Sequence, residues 1–289
     1  MRTIGVSKIF TGLAILKLIE SGKLQSINCK VFETGGLLEA LSIPQQYQSE
    51  FSCLSVQLLL VHAAGLSTCK NEPIFFNSTA TKRDVINFLL NKLNLFAHQP
   101  SKVSLYSNTG YFFLGRVIEQ LSGATYEEFV RQNILNPLNL NSAFIGNADG
   151  SSNINRRETN YYPPFAPNMQ LWDSFGGWVA SPIDLVRLAV SMDGNSAKAD
   201  ILSQDNIQKI THDGINSYGL GVKLDKSSTY GQVGCANSSQ SILWIYKNQI
   251  TYSITINSDP LSDSCSAILK PRFEAVIDNV SSWPTYDLF

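Results

Sequence analysis

VSKIFTGLAILKLIESGKL, residues 6–24, is the stretch that decides the fold of this chain. Residues 9–18 are apolar around nearly the whole helical circumference, which predicts a core helix buried on most sides. Lys8 stands in its first turn, and Gly5 lies three residues earlier on the same helical face. A hydroxyl at position 5 would place its proton within reach of the lysine amine, but glycine has none.

Composition limits the classes of function. A chain of 289 residues with 44% apolar and 16% charged residues is typical of one compact globular domain. Its 22 basic and 23 acidic residues form no run of either sign, so we expect no nucleic-acid partner. Five cysteines lack metal-ligand spacing, and we expect neither a metal nor a cofactor. We expect a soluble chain without a membrane span or signal peptide, in a compartment that composition leaves open.

Helical patterns fill the middle of the chain and strand patterns its end. We predict helices over residues 84–95, 111–122, 125–135 and 182–192. Residues 146–171, rich in Asn, Gly, Ser and Pro, predict a long surface excursion. Strands are predicted over residues 218–224, 239–246 and 249–257, the last two joined by a turn near residue 247, and a final helix over 265–279 covers one face of that sheet.

Six phrases in this order resemble one family, the serine β-lactamase and penicillin-binding-protein superfamily, especially its class C and esterase-like branch. They are residues 6–24, LSVQLLLVHAAGL at 54–66, YSNTGYFFLGRVIEQLSG at 106–123, NPLNLNSAF at 136–144, FGGWVASPIDLVRLA at 175–189 and YGLGV at 218–222. The resemblance implies an α+β, β-lactamase/transpeptidase-like fold, with an antiparallel sheet flanked by helices beside a mostly helical lobe. In a single domain of residues 1–289, it places the helical lobe at about 25–200 and the sheet lobe at 1–24 and 201–289.

The resemblance also implies two strands ahead of the active-site helix, which pair with the strand predicted at residues 249–257. This chain begins too late to supply them, so we expect that strand to be an exposed edge. Such an edge is open to self-association.

The family's active site joins three motifs: Ser-x-x-Lys, Tyr-x-Asn, and Lys or His followed by Thr or Ser and Gly on a strand. Alignment on Lys8 places Gly5 where the nucleophilic serine belongs. Tyr106 and Asn108 supply the second motif; the resemblance implies a proton shuttle for the tyrosine and a hydrogen bond from the asparagine to Lys8. We therefore predict a remnant site without its nucleophile.

The third motif has its counterpart at residues 230–235, where Gln232 replaces the cationic or titratable residue. An amide carries neither a charge nor a transferable proton, which weakens carboxylate recognition and proton relay. Gly234 and Cys235 follow it, and the backbone N–H groups of Gly5 and Cys235 would form the oxyanion hole. We predict that this hole, with Lys8 nearby, binds a small carboxylate or peptide-like ligand without turning it over.

Two other serines are alternative candidates for the nucleophile. Ser7 lies about 200° around the helix from position 5, so its side chain points away from the predicted active site. Ser67 begins a second Ser-x-x-Lys pattern, but this pattern follows a helix end instead of opening an apolar helix. His62 matches the family's His-x-x-Gly turn, and we assign it a structural role.

Three functional hypotheses follow. The first is a β-lactamase-related protein that is catalytically impaired, a pseudoenzyme acting through binding or assembly. The second is an active serine hydrolase on amide, ester or peptide substrates, with an unusual nucleophile or an N-terminus that is incorrectly assigned. The third is a structural interaction protein that uses the exposed sheet edge.

Overall fold

The computed structural model describes residues 1–68, 71–161, 166–225, 229–236, 238–246, 250–258 and 265–284. The helices of this part of the chain are α1 (Ser7–Glu20), α2 (Gln48–Ser52), α3 (Val56–Leu60), α4 (Lys82–Leu90), α5 (Asn108–Ser122), α6 (Tyr126–Val130), α7 (Pro182–Val190), α8 (Gln204–His212) and α9 (Cys265–Asp278). The strands are β1 (Phe144–Ile145), β2 (Trp178–Val179), β3 (Lys223–Leu224), β4 (Tyr230–Ala236), β5 (Ser239–Ile245) and β6 (Thr251–Ile256). The fold is α+β, as predicted.

Helix α1 is the core helix that its sequence predicts. All of its residues from Ser7 to Leu16 are buried. It packs on α5 and α6 on one side and on β4 on the other, so no part of its first three turns faces solvent. An amphipathic helix has an apolar stripe on one side, whereas α1 needs apolar residues all round because protein surrounds it.

The main sheet is antiparallel, in the order β3-β4-β5-β6. Its side chains alternate between two faces. One face, which includes Leu243 and Ile245, joins the main core with α1, and the other packs against α9 around Ile242 and Trp244. The sequence therefore predicted correctly that the last helix covers one face of the sheet.

The predicted strands required corrections. Residues 218–224 were predicted as one strand, but only β3 is extended, because Gly221 has a φ of 91° where the chain passes close to Gly12. Strand β4 was not predicted as a separate strand, so the meander has one more strand than expected. The predicted turn near residue 247 lies outside the described residues.

The predicted helices differ from the observed ones mainly in length. Helix α4 ends at Leu90, and Leu93 lies beyond it with 77% of its surface exposed. The helix predicted over residues 125–135 is α6 followed by one π-helical turn, Arg131–Leu135. The capping residues act as predicted: Thr125 closes a capping box and Gly123 ends α5 with a φ of 75°.

Part of the surface excursion predicted over residues 146–171 is buried, although residues 154–157 are exposed as expected. Glu158 is buried in an ion pair with Arg2, at 3.2 Å between Oε1 and Nε. Tyr161 accepts a hydrogen bond from the Arg2 backbone N–H at 2.9 Å, and Asn168 and Met169 are buried. Polar composition predicts exposure to solvent only when the polar groups have no internal partners. Here Arg2 is the partner of Glu158 and Tyr161, and the backbone of residues 75–77 is the partner of Asn168.

No helix within the described residues has the length and apolar character required to cross a bilayer. The division into lobes at residues 25 and 200 stays a prediction.

Candidate functional site

The starts of α1 and α5 bring three predicted site residues together. The Lys8 amine Nζ lies 2.6 Å from the Tyr106 hydroxyl and donates to Asn108 Oδ1 at 2.7 Å. It also donates to the backbone carbonyl of Phe175 at 2.8 Å. The lysine is fully buried. The geometry that the family resemblance implies for these residues is therefore present.

Burial shifts the pKa values of the side chains in this cluster. Desolvation holds the pKa of Lys8 well below its usual range, and within the described residues the amine has no ion pair. Burial also raises the pKa of Tyr106, which keeps its proton. Asn108 Oδ1 and the Phe175 carbonyl only accept, so the lysine donates to both, and the amine also donates to the Tyr106 hydroxyl.

Aromatic rings enclose the cluster. Lys8 Nζ lies 4.5 Å from the centroid of Tyr106 and 5.3 Å from that of Tyr111. The His62 ring packs on both tyrosines, and its Nδ1 accepts from the Ser107 backbone N–H at 3.0 Å. Burial, and secondarily Lys8, lowers the pKa of His62 well below its usual range, so the imidazole is neutral. The structure gives His62 a packing and backbone-anchoring role.

Strand β4 closes the space beside Gly5. A Cβ atom added at Gly5 would lie 2.3 Å from the Val233 carbonyl oxygen and 3.1 Å from the Tyr106 hydroxyl. Real Cβ atoms essentially never approach another atom to 2.3 Å, so a side chain here requires the strand to move. Ile4, just before, has a φ of 47°, which is strained for a β-branched residue. The chain keeps a strained turn at the nucleophile position without a nucleophile.

The third-motif residues lie on β4. Gln232 is 3% exposed, on the sheet face that it shares with Gly234 and that faces α1. Its Oε1 accepts from the Val233 backbone N–H at 3.0 Å, and its Nε2 has no partner within the described residues. The hydrogen bonds of this amide therefore do not extend to the lysine cluster.

The predicted oxyanion hole is narrow. A Cβ atom at Gly234 would lie 2.7 Å from the Gly5 backbone nitrogen and closer still to the Thr3 carbonyl oxygen. Cys235, the next residue, is disulfide-bonded and only partly buried. The strand thus approaches the Gly5 N–H directly, at the place where a substrate carbonyl would have to fit.

Neither alternative serine faces the cluster as a nucleophile. The Ser7 hydroxyl is buried 2.8 Å from Thr3 Oγ1 and accepts from the Trp178 backbone N–H at 3.2 Å. Ser67 contributes its carbonyl, which accepts from the Ser107 hydroxyl at 3.0 Å. The lysine of the second Ser-x-x-Lys pattern, Lys70, lies outside the described residues.

Sequence reasoning missed two backbone carbonyls of this site. The Phe175 carbonyl completes the lysine's hydrogen bonds, and the Val233 carbonyl fills the nucleophile position. Backbone atoms leave no residue-type signal; the paired glycines that follow Phe175 were the one hint of a close backbone approach. Within the described residues no group of three His, Cys, Asp or Glu side chains could hold a metal ion.

Comparison with known proteins agrees with this architecture. The model of the family described as Beta-lactamase matches residues 2–269. Beta-lactamase-like protein 4 of Dictyostelium discoideum is 28% identical over 259 residues, which is 84% of this chain and 45% of that protein. Penicillin-binding protein 4* of Bacillus subtilis (strain 168) is 29% identical over 99 residues, 32% of this chain and 22% of that protein. The chain thus spans less than half the length of these curated relatives.

Solved structures share the fold at low sequence identity. D-amino acid amidase from Ochrobactrum anthropi SV3 superposes with a TM-score of 0.77 at 18% identity, covering 97% of this chain and 86% of that one. An octameric penicillin-binding protein homologue from Pyrococcus abyssi gives a TM-score of 0.70 at 21% identity, covering 96% and 66%. These likenesses establish the β-lactamase/transpeptidase-like fold.

Proposed function

Because this chain belongs to the Beta-lactamase family, we propose that it is a non-hydrolysing member in which the former catalytic cluster stabilises the fold. One observation carries the proposal: the Val233 carbonyl stands 2.3 Å from where the Cβ of a nucleophile at position 5 would be. Acyl transfer in this family type needs a hydroxyl there, a base beside it and room for a carbonyl. Only the base, Lys8, is left.

The remaining cluster suits a structural role. Lys8 joins α1 to α5 through Asn108 and to the chain near residue 175 through a backbone carbonyl. A fully hydrogen-bonded polar group in a core specifies one arrangement of the elements around it. Catalysis would instead require the amine to reach a substrate, but the amine is buried beside the rings of Tyr106, Tyr111 and Phe175.

The crowding around Gly5 also limits ligand binding. A small carboxylate or peptide-like ligand would have to bind beside Gly234, where an added Cβ atom would already clash with the Thr3 carbonyl oxygen. We therefore expect a titration with acetate or N-acetyl-D-alanine to leave the amide resonances of Gly5 and Cys235 unmoved. Saturable shifts of both would support the binding role predicted from the sequence.

Activity-based labelling tests the proposal. Wild-type protein, Gly5→Ser and Gly5→Ala are incubated with a fluorescent penicillin or a fluorophosphonate, and adducts are located by mass spectrometry. We expect no adduct in any of the three, and similar destabilisation of both variants by about 1–3 kcal/mol, because both add the same Cβ against the strand. Labelling of the wild type would favour the active hydrolase and sink the proposal. Labelling of Gly5→Ser alone would show that β4 can move away from position 5 and admit the probe.

The second candidate function, interaction through a sheet edge, has its own support. Strand β6 pairs with β5 on one side and, within the described residues, with no strand on the other. An open edge of this kind recruits further strands.

A further inference from the structure

Three stretches of the chain match the Asn-x-Ser/Thr pattern of an N-glycan acceptor. They are residues 77–79 (NST), 237–239 (NSS) and 279–281 (NVS). Residue 237 lies outside the described residues. The pattern arises often by chance in a chain rich in asparagine and serine, so the local structure of Asn77 and Asn279 has to distinguish an acceptor from a coincidence.

Asn77 has the local conformation of an acceptor. It follows the short helical segment Pro73–Phe76, and Asn77, Ser78 and Thr79 are all exposed. The Thr79 hydroxyl donates to Asn77 Oδ1 at 2.9 Å, and the Thr79 backbone N–H donates to the same oxygen at 3.0 Å. Both bonds span only two residues, so this turn needs no tertiary contact and can form before the rest of the chain folds.

The hydrogen bonds leave the Asn77 nitrogen open to a reaction. Its Oδ1 accepts both bonds from Thr79, whereas its Nδ2 makes no hydrogen bond within the described residues. A hydroxyl that donates to the amide oxygen stabilises negative charge on the amide, so a proton leaves Nδ2 more easily.

The transfer needs a glycosyltransferase and a lipid-linked oligosaccharide diphosphate as the sugar donor. Nδ2 forms a bond to the anomeric carbon of the first sugar. The bond from that carbon to the diphosphate oxygen breaks, and the lipid diphosphate leaves with the electron pair. One Nδ2 proton passes to a base of the transferase, and the Asn77 amide keeps the other.

Asn279 is equally exposed but lacks this arrangement. It lies in the turn after α9, where its Nδ2 donates to the Ala275 carbonyl at 2.7 Å and its backbone N–H donates to the Val276 carbonyl at 3.2 Å. The nitrogen that would attack the sugar is therefore already engaged. Asn279 serves as an internal comparison for Asn77.

The folded protein holds the Asn77 loop by its backbone. The buried Asn168 donates from its Nδ2 to the Asn77 carbonyl at 2.8 Å and from its backbone N–H to the Phe75 carbonyl at 2.9 Å. These bonds keep the loop in place and leave the Asn77 side chain outside the core. A sugar attached there displaces no packed side chain.

An independent observation indicates the compartment. Cys235 is disulfide-bonded. Disulfides form and persist in oxidising compartments such as the secretory route and are rare in the cytosol. N-linked sugars belong to secreted proteins. The disulfide and the acceptor at Asn77 therefore point to the same route.

We propose that Asn77 is an N-glycan attachment site and that this chain matures in an oxidising, secretory compartment. The test is mass spectrometry of peptides from the wild-type protein, purified from the cells that naturally make it. Treatment with peptide N-glycosidase in heavy-oxygen water converts each glycosylated asparagine into a labelled aspartate and so assigns every site separately. We expect the label at Asn77, no label at Asn279, and an oxidised Cys235.

Variants test the role of the Thr79 hydroxyl after translocation of the full chain into microsomes behind a cleavable leader. Asn77→Gln and Thr79→Ala should lose the label at position 77, whereas Thr79→Ser keeps a hydroxyl and should retain it. Asn279→Gln is the matched control and should leave the label at Asn77 unchanged. Because sugar transfer precedes folding, a folding defect would not hide these results.

An unlabelled Asn77 or a free Cys235 thiol in the natural protein overturns the proposal. Equal labelling of Asn77 and Asn279, or full labelling of Thr79→Ala, would refute the argument from the Thr79 hydrogen bonds. Labelling of the wild type by penicillin would refute the non-hydrolysing function without affecting the sugar at Asn77.

Discussion

Replacing Lys8 with methionine should remove a pH dependence of stability that the buried amine creates. In the folded protein, burial holds the pKa of Lys8 well below its usual range, whereas in the unfolded chain a lysine titrates at about 10.4. Between those values the unfolded chain binds one more proton, so the free energy of unfolding falls as the pH falls, by about 1.4 kcal/mol per pH unit. From about pH 9.5 to about pH 7.5, the wild type should therefore lose stability that the variant does not lose.

Urea denaturation followed by tryptophan fluorescence at several pH values measures this difference. The pKa of His62 is lowered from its usual value, so its effect falls below this window. The Met1 amine, whose pKa burial also lowers, is common to both proteins and cancels. Lys23→Met removes an exposed charge and serves as the control. A wild-type to variant difference that stays constant with pH would mean that Lys8 keeps its proton in the fold, and would refute the reasoning.

Two further substitutions test the core. Glu158→Gln leaves the buried Arg2 guanidinium without its counter-charge and should cost about 3–5 kcal/mol, seen as a lower Tm, whereas Glu127→Gln, at an ion pair about one-third exposed, should cost less than ~1 kcal/mol. Equal losses for the two glutamates would contradict this assignment. Tyr126→Phe removes a buried hydroxyl 2.7 Å from Thr11 Oγ1 and should cost about 1–3 kcal/mol in urea denaturation; an unchanged midpoint would show that this bond contributes nothing.

Much of the fold was predictable where local chemistry and tertiary packing agree. Helix α1 was recognisable because apolar residues surround it, and α7 because Ser181 and Pro182 mark its start. Strand β4 was harder to recognise because Gly231 and Gly234 interrupt its pattern. Both glycines are needed where other backbone segments approach, a requirement that no local propensity expresses.

The side chains of the site were predictable, and the backbone carbonyls that enclose it were not. Lys8, Tyr106 and Asn108 were found because their spacing resembles a known set of motifs, and they do meet. The burial of Glu158 and Asn168 within residues 146–171 was missed because both are polar, and polarity alone does not reveal a buried partner. The partners are distant in the chain: Arg2 lies 156 positions from Glu158, and Asn77 lies 91 positions from Asn168.

The sequence by itself determined that position 5 lacks a hydroxyl and that Lys8 opens a buried helix, because residue identity and periodicity are local properties. Only the tertiary structure decided that the empty position is also closed, since the Val233 carbonyl reaches it from a strand more than two hundred residues away. The sequence determines which chemical groups are present, and tertiary packing determines which of them remain accessible for a reaction or a contact.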